Sequence, residues 1–271
     1  MNRVVRLTAV AMGAAGLFMG TTAATSAVPS AASAAPAAVS TTVAATTDSA
    51  KFKPRERFTR ELVKEGDADT GVYDIDHVRE LQYRLKWAGV YDGSVDGRFD
   101  SAVTRAVKRF QRRNDLRTSG TANSATWAEL IPQTVRARTA IPDRCKSRRN
   151  VQWHACYDRA RHQVTLWHKG VLRNSWLVRG GSYNNQTRLG TNTVFSRDKD
   201  HVSGIFGSPM PYSQFFDGGQ ALHGSSTMID PFVGHSHGCV NMYNEDARQL
   251  WKLTTRHPMS QMKVTVYGAW S

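Results

Sequence analysis

The spacing of apolar residues divides the chain into a helical part and a later part of alternating polarity. Between Asp74 and Pro132, apolar side chains recur at the three- or four-residue interval of a helix with one buried face. Gly89 is placed to end the first helix, and Asp100 is placed to cap a second. A third, shorter helix is predicted around Ala125 to Ile131. The predicted inward-facing positions in the first two helices are Ile75, Val78, Leu81, Leu85, Val103, Ala106, Val107 and Phe110.

From about Val151 the pattern changes to a period of two, which is typical of β-strands. Predicted strands include Val164 to Leu166, a hairpin partner at Trp176-Leu177-Val178 after a turn at Lys169-Gly170, Val194-Phe195-Ser196, and Val264 to Tyr267. The clearest helix of this part is predicted from Glu245 to Leu253. The predicted fold class is therefore α+β multidomain, with a small three-helix module followed by a mostly β domain.

The first residues have the composition of an export signal. Arg3 and Arg6 precede an apolar stretch from Leu7 to Gly20, and Ala32-Ser33-Ala34 resembles a cleavage site. This stretch is short for a membrane span, so we expect a signal peptide over residues 1–34 and general secretion. The alternative is an uncleaved membrane anchor, and in both cases we expect membrane contact through this segment alone.

Composition and the change of pattern predict four further segments. Residues 35–72 are expected to be a low-complexity, disordered linker rich in Ala, Ser, Thr and Pro, with partly helical structure between Phe52 and Gly71. The helical module is placed at 73–132, a basic linker at 133–147, and the β domain at 148–271.

Net charge and cysteine usage both fit an exported protein. The formal net charge is +14, which favours polyanionic partners. Export makes an anionic cell wall a better partner than nucleic acid, and we expect no nucleic acid to bind. Of the three cysteines, Cys145 and Cys156 are close enough in sequence to close a short loop, which stabilises a fold by roughly 2–3 kcal/mol. Cys239 is then free, although its pairing with either of the others is an alternative that leaves no nucleophile.

The segment Ser236-His237-Gly238-Cys239-Val240-Asn241 carries the strongest chemical signal. A cysteine becomes a nucleophile when a base removes its proton, and an imidazole is the usual base. His223 lies upstream in Leu222-His223-Gly224. Glycine beside the nucleophile lets backbone N–H groups approach a reacting carbonyl, as an oxyanion hole requires. These residues predict a cysteine acyl-transfer site.

The helical module resembles the peptidoglycan-binding domain of bacterial wall enzymes. The resemblance covers nearly the whole module and implies binding to peptidoglycan, without indicating which residues contact glycan strands or peptide. The matching residues are Val78, Leu81-Gln82, Leu85, Gly89, Tyr91, Gly93, Val95-Asp96-Gly97, Phe99, Ala106-Val107, Phe110-Gln111, Leu116, Gly120 and Thr126-Trp127.

From about Val151 onward the chain resembles the L,D-transpeptidase (YkuD-like) catalytic domain. The resemblance is carried by His223-Gly224 and by the Ser236 to Asn241 string. Gly180-Gly181, Gly190-Thr191 and Met210-Pro211-Tyr212 support it. One departure is Thr187-Arg188-Leu189-Gly190, where many members carry Thr-Pro-x-Gly. The interval between His223 and Ser236 is also short, which predicts a trimmed substrate lid.

The resemblance implies a role for each site residue. Cys239 is the nucleophile and His223 the general base, with the Gly224 carbonyl orienting its ring. The N–H groups of Gly238 and Cys239 form the oxyanion hole. Ser236, His237 and Asn241 support the loop, His237 as a satisfied structural histidine and Asn241 as a turn-former. Tyr212 and Met210 are lid candidates, whereas His168, His201, His235 and His257 are expected to be ordinary surface or core residues.

The implied reaction is a two-step acyl transfer that forms 3→3 crosslinks between peptidoglycan stem peptides through a thioester, at the cell wall and without cofactor or metal. The resemblance also implies that carbapenems acylate Cys239. If water replaces the acceptor amine, the activity is that of an L,D-carboxypeptidase. Two other functions are open: a zinc peptidase using His223, His235, His237 and Cys239, and a wall-binding protein without enzymatic activity.

Overall fold

Three helices form the N-terminal module in the computed structural model, which describes residues 57–136, 140–146 and 151–271. They are α1 (Val78–Trp87), α2 (Ser101–Arg113) and α3 (Ser124–Gln133). The Asp100 carboxylate accepts from the N–H groups of Ala102 and Val103, so the predicted cap of α2 is present. Gly89 follows α1 with φ +67°, a backbone conformation that favours glycine.

Nine strands and one α-helix are described in the C-terminal domain, besides short 3-10 turns. The strands are β1 (Trp153–Asp158), β2 (Gln163–His168), β3 (Val171–Leu177), β4 (Gly190–Thr193), β5 (Ser196–Val202), β6 (Pro209–Asp217), β7 (Gln220–Gly224), β8 (Val240–Met242) and β9 (Met262–Tyr267), and the helix is α4 (Asn244–Thr254). They form a five-stranded sheet of order β3-β2-β1-β9-β4 and a four-stranded sheet of order β5-β6-β7-β8. The pairs β1–β9 and β7–β8 are parallel, and the others are antiparallel. This architecture confirms the predicted fold class.

Apolar residues from both sheets meet in one core, as the alternating pattern requires. Trp176, Leu166 and Val264 come from the first sheet, and Leu222 and Val240 come from the second. Helix α4 packs on β6 and β7 and therefore supports the strand that carries His223 from its core-facing side.

The predicted strand Val194-Phe195-Ser196 is wrong, because the chain changes sheets there. The Val194 N–H donates to the Met262 carbonyl in the first sheet at 3.0 Å, and the Phe195 N–H donates to the Phe215 carbonyl in the second, also at 3.0 Å. The alternation of polar and apolar residues continues where the chain passes between the sheets, so the sequence resembles one strand. In the structure, β4 ends at Thr193 and β5 begins at Ser196.

Residues 57–72 differ from the predicted linker and from the predicted partial helix. They run irregularly along the module through short turns, with bridges from Val63 to Ala122 and from Ala68 to Arg98. Phe58, Arg60 and Val63 are buried, because their side chains pack against the module or pair with its charges. The predicted signal peptide and the earlier part of the linker lie outside the described residues.

A buried ionic cluster joins the helical module to the C-terminal domain. Arg60 pairs with Glu80 at 2.8 Å, and Glu80 also pairs with Arg84 at 2.7 Å. Beside them, the His77 ring lies between the Glu61 carboxylate and the Asp246 carboxylate of α4. Burial opposes the charge on this ring, but the two carboxylates outweigh it and raise the pKa of His77 well above 6.5.

Apolar contacts continue the same interface. The core of the module extends onto Cys156, Trp167 and Leu172 of the five-stranded sheet. The predicted disulfide between Cys145 and Cys156 is present, with a Cα–Cα separation of 6.1 Å. Within the ranges that the structure describes, each helix falls short of the length and apolar content needed to cross a membrane.

Candidate active site

His223 on β7 and Cys239, the residue just before the parallel strand β8, face the same cavity. The β7–β8 register pairs Leu222 with Val240 and His223 with Asn241. Leu222 and Val240 are in the core, so strand alternation places His223 and Asn241 on the opposite face, together with Cys239 one position before β8. His223, Cys239 and Asn241 all line one cavity of about 620 Å³.

The environment of His223 holds its ring neutral. The ring is buried, and its Nδ1 is 2.7 Å from the Gly224 carbonyl oxygen. A carbonyl only accepts hydrogen bonds, so Nδ1 carries the proton and Nε2 keeps its lone pair. Burial lowers the pKa of His223 to about 4, although the Gly224 carbonyl and the Asn241 side chain oppose this shift. The neutral ring is therefore available as a base over a wide pH range.

The Cys239 thiol is free and half-buried. Its Sγ lies 3.5 Å from the Gly219 carbonyl, to which it donates. Burial raises the pKa of this thiol, and the Ala221 N–H and the Arg188 charge oppose the rise. The resting pair is thus a neutral thiol and a neutral imidazole, and a proton must move from sulfur to nitrogen when a substrate is attacked. Because Cys145 and Cys156 are bridged to each other, the alternative pairing of Cys239 is excluded.

Ser236 shapes the turn that presents the thiol. Its hydroxyl donates to the Cys239 carbonyl at 2.6 Å and accepts from the Gly238 N–H at 3.1 Å. Gly238 has φ +117°, and a Cβ there would lie 2.6 Å from the Gln220 Nε2 atom, so another residue would be both strained and crowded. Since the Gly238 N–H already has an acceptor, the Cys239 N–H remains the better candidate of the two predicted oxyanion donors.

Comparison with known proteins agrees with this geometry. Residues 152–266 match the family model described as the L,D-transpeptidase catalytic domain, and residues 75–130 match that of the peptidoglycan binding domain. The C-terminal domain belongs to the L,D-transpeptidase family.

Individual similar proteins match this chain at low sequence identity or over only part of its length. The chain is 33% identical over 86 residues to a spore cortex-lytic enzyme of Bacillus cereus, covering 32% of this chain and 31% of that protein. The chain thus spans about a third of the length of the curated relatives it matches. Among solved structures, an L,D-transpeptidase from Stackebrandtia nassauensis is 23% identical, with 79% of this chain and 98% of that chain covered and a TM-score of 0.48. One from Xylanimonas cellulosilytica is also 23% identical, with 77% and 98% covered and a TM-score of 0.44.

In this transpeptidase-family domain, the lid side of the cavity differs from the prediction. Met210 lines the cavity, but the positive φ of Tyr212, +59°, turns its ring toward Trp251 of α4. The turn between β5 and β6 instead supplies Ile205 and Phe206, which are 86% and 55% exposed. Two consecutive apolar residues between Gly204 and Gly207 were the available sequence signal for this element.

Two predicted support residues have different roles from those expected. His237 is exposed, and its ring stacks on Phe206 with centroids 4.2 Å apart, so it is not a satisfied buried histidine. Asn241 lies within β8 and exchanges backbone hydrogen bonds with Arg179, so it is a strand residue and not a turn-former.

Several residues without a predicted role also line the cavity. His201 and His235 are among them, in contrast to the prediction that they are ordinary surface or core residues, whereas His168 and His257 lie beside Trp153 outside the cavity. Arg188, Asn185 and Gln220 line the side nearest Gly219.

The arrangement of ligand atoms does not match the zinc peptidase. Among the described residues, the groups whose ligand atoms come close enough to share an ion are His77, Glu80 and Asp246 at the interface, and Cys145, His154 and Cys156 at the disulfide. Neither group includes His223, His235, His237 or Cys239. The first group is already paired with arginines, and the second has its sulfurs oxidised.

Proposed function

We propose that this protein is an exported L,D-transpeptidase that forms 3→3 peptidoglycan crosslinks with Cys239 as nucleophile and His223 as general base. The observation that carries the proposal is that a free thiol and a neutral, Nδ1-protonated imidazole line one cavity of an L,D-transpeptidase-family domain. The peptidoglycan binding domain and the net charge of +14 support a cell-wall partner and a wall-associated location.

The first half-reaction transfers an acyl group to sulfur. His223 Nε2 takes the thiol proton as Cys239 Sγ attacks the carbonyl that precedes the terminal D-residue of a tetrapeptide stem. The Cys239 N–H stabilises the developing oxyanion. When the intermediate collapses, the C–N bond breaks, the imidazolium returns its proton to the leaving amine, and free D-alanine departs. A thioester remains on Cys239.

The second half-reaction transfers the acyl group to an amine. The neutral ring of His223 takes a proton from the attacking side-chain amine of a neighbouring stem, and the thiol leaves with that proton. The product is an amide crosslink, and the enzyme returns to its starting protonation state. If water attacks instead, the same thioester yields a trimmed tripeptide, so acceptor access decides between crosslinking and carboxypeptidase activity.

The experiment is incubation of the purified exported protein with a defined disaccharide tetrapeptide, with products identified by mass. The proposal predicts crosslinked dimers with loss of D-alanine from the wild type, and neither dimers nor tripeptide from Cys239→Ala. Binding of Cys239→Ala to intact sacculi should equal that of the wild type, because the binding module is unchanged.

Chelation separates the thiol enzyme from the zinc peptidase. EDTA should leave the products unchanged, and iodoacetamide should abolish them. Activity lost to EDTA and spared by iodoacetamide would contradict the proposed mechanism. Sacculus binding without any product from the wild type would indicate a wall-binding protein instead.

A further inference from the structure

Arg188 is fixed next to the nucleophile by the turn between β6 and β7. Its Nε donates to the Asp217 carboxylate at 2.7 Å, and its Nη2 donates to the Asp217 carbonyl at 2.5 Å. Its backbone N–H donates to the Gln220 side-chain oxygen at 3.0 Å. The Cys239 thiol donates to Gly219 of the same turn. One four-residue turn, 217–220, therefore positions both the guanidinium and the sulfur.

The guanidinium has unused binding capacity at the cavity. A guanidinium has five N–H donors, and the bonds to Asp217 engage one on each of two nitrogens. The Arg188 side chain remains 53% exposed and lines the cavity. Of the described residues that line it, Arg188 is the one with a permanent charge, and none is a carboxylate. This cavity wall therefore favours an anion close to the thiol.

The positive charge of Arg188 affects the pKa of the Cys239 thiol. Burial raises the pKa of the thiol, and the positive charge of Arg188 is one of the influences that lower it. Arg188 and Cys239 also line the same cavity, so the guanidinium can reach an anionic group of a substrate that is bound there for attack by the thiol.

The substrate of the proposed function carries such an anion. The terminal D-residue of a tetrapeptide has a free α-carboxylate, only one residue beyond the carbonyl that Cys239 attacks. We propose that Arg188 binds this terminal carboxylate and makes the enzyme select donor stems that end one residue after the reacting carbonyl. This inference rests on the proposed function and adds a specificity-determining residue that stands where many family members carry proline.

The test compares two donor tetrapeptides that differ only in the terminal group, a free carboxylate or a primary carboxamide. The wild type should prefer the carboxylate in kcat/KM by roughly 10- to 100-fold, the size expected for a charge-assisted hydrogen bond. In Arg188→Gln this preference should fall to near one, through a higher KM for the carboxylate donor and with little change for the carboxamide.

Three further variants isolate the role of the guanidinium. Arg188→Lys should keep part of the preference, because it keeps the charge but not the planar fork. Asp217→Asn weakens the contact that positions the Arg188 guanidinium and should give an intermediate preference. Arg256→Gln removes an exposed charge outside the cavity and should behave like the wild type. If Arg188→Gln does not fold, Arg188→Lys and Asp217→Asn still decide the question.

The outcomes of the two proposals can be separated. Turnover of both donors with an equal preference in the wild type and Arg188→Gln would overturn the role of Arg188 and leave the proposed function intact. A wild type that shows no preference would also overturn that role. Failure of the wild type to turn over either donor would overturn the proposed function, and this inference with it.

Discussion

His223 and Asn241 occupy paired positions on the parallel strands β7 and β8, and both side chains face the cavity that contains Cys239. The Asn241 side chain interacts with the His223 ring and favours its protonated form. The Gly224 carbonyl orients the base, and the amide of Asn241 lies at the paired position on the neighbouring strand. An amide can support the ring without adding a charge to the site.

The first prediction concerns this orienting amide. Asn241→Ala should lower kcat by about 10- to 100-fold, because a misplaced base loses alignment with the thiol. Asn241→Asp should instead raise the pKa of His223 and move the acid limb of the kcat/KM profile to higher pH. Asn192→Ala, a substitution on β4, is the matched control and should leave both quantities unchanged. An acid limb that stays in place in Asn241→Asp would contradict the assigned role.

The second prediction concerns the pH dependence of the base itself. Burial lowers the pKa of His223 to about 4, so activity should persist well below pH 6.5. It should decline only as the pH approaches about 4. The measurement is kcat/KM of the wild type against pH, with His168→Gln as a control that removes an imidazole outside the cavity. A protonation step near pH 6.5 in both the wild type and His168→Gln would show that the His223 ring has an ordinary pKa.

The third prediction concerns the buried His77 at the interface. Its folded-state pKa lies well above 6.5, so its contribution to stability is complete below about pH 6.5 and is lost as the pH rises through the raised value. His77→Gln should cost about 3–5 kcal/mol, because it removes the buried cation that Glu61 and Asp246 share and leaves Asp246 with a longer contact to Arg60 at 3.5 Å. The free energy of unfolding, measured by denaturant titration, should fall less from pH 6 to pH 9 in the variant.

His257→Gln provides the comparison for that experiment, because it removes a histidine that packs beside Trp153 and away from the ionic cluster. If His77→Gln and the wild type lost the same free energy of unfolding between the two pH values, the charge on His77 would not be part of the interface.

The fourth prediction concerns the disulfide and the thiol count. The unreduced native protein should react with one equivalent of iodoacetamide, at Cys239, and with two more after reduction. The double variant Cys145→Ser/Cys156→Ser should lose roughly 2–3 kcal/mol of stability and keep its activity at low temperature. Mass spectrometry of the alkylated peptides gives the count. Labelling of all three cysteines before reduction would contradict the bridge.

The parts that could be predicted from sequence depend on neighbouring residues. Helix α4 and the caps of the module follow from spacing and from single side chains such as Asp100. The thiol segment was recognisable because Ser236 to Asn241 are consecutive, and the Gly224 carbonyl is adjacent in sequence to the ring that it orients. In each case the information lies within a few residues.

The missed features depend on long-range contacts. His77 and Asp246 are 169 residues apart, and neither has a local signal for a shared ionic cluster. The resemblance suggested a lid position for Tyr212, but its positive φ within β6 turns its ring toward Trp251. The departure at Arg188 was visible in sequence, but its meaning required the position of Asp217 at the end of β6.

The intact mass of the enzyme during turnover tests most directly whether Cys239 is the acylated atom. After rapid acid quench of the wild type with a tetrapeptide donor and no acceptor, we expect a mass gain equal to the donor minus D-alanine. The gain should lie on the peptide containing Cys239 and be removed by hydroxylamine. It should be absent in Cys239→Ala and form more slowly in His223→Gln. A mass gain on another residue, or turnover without any acylated species in Cys239→Ala, would contradict the account.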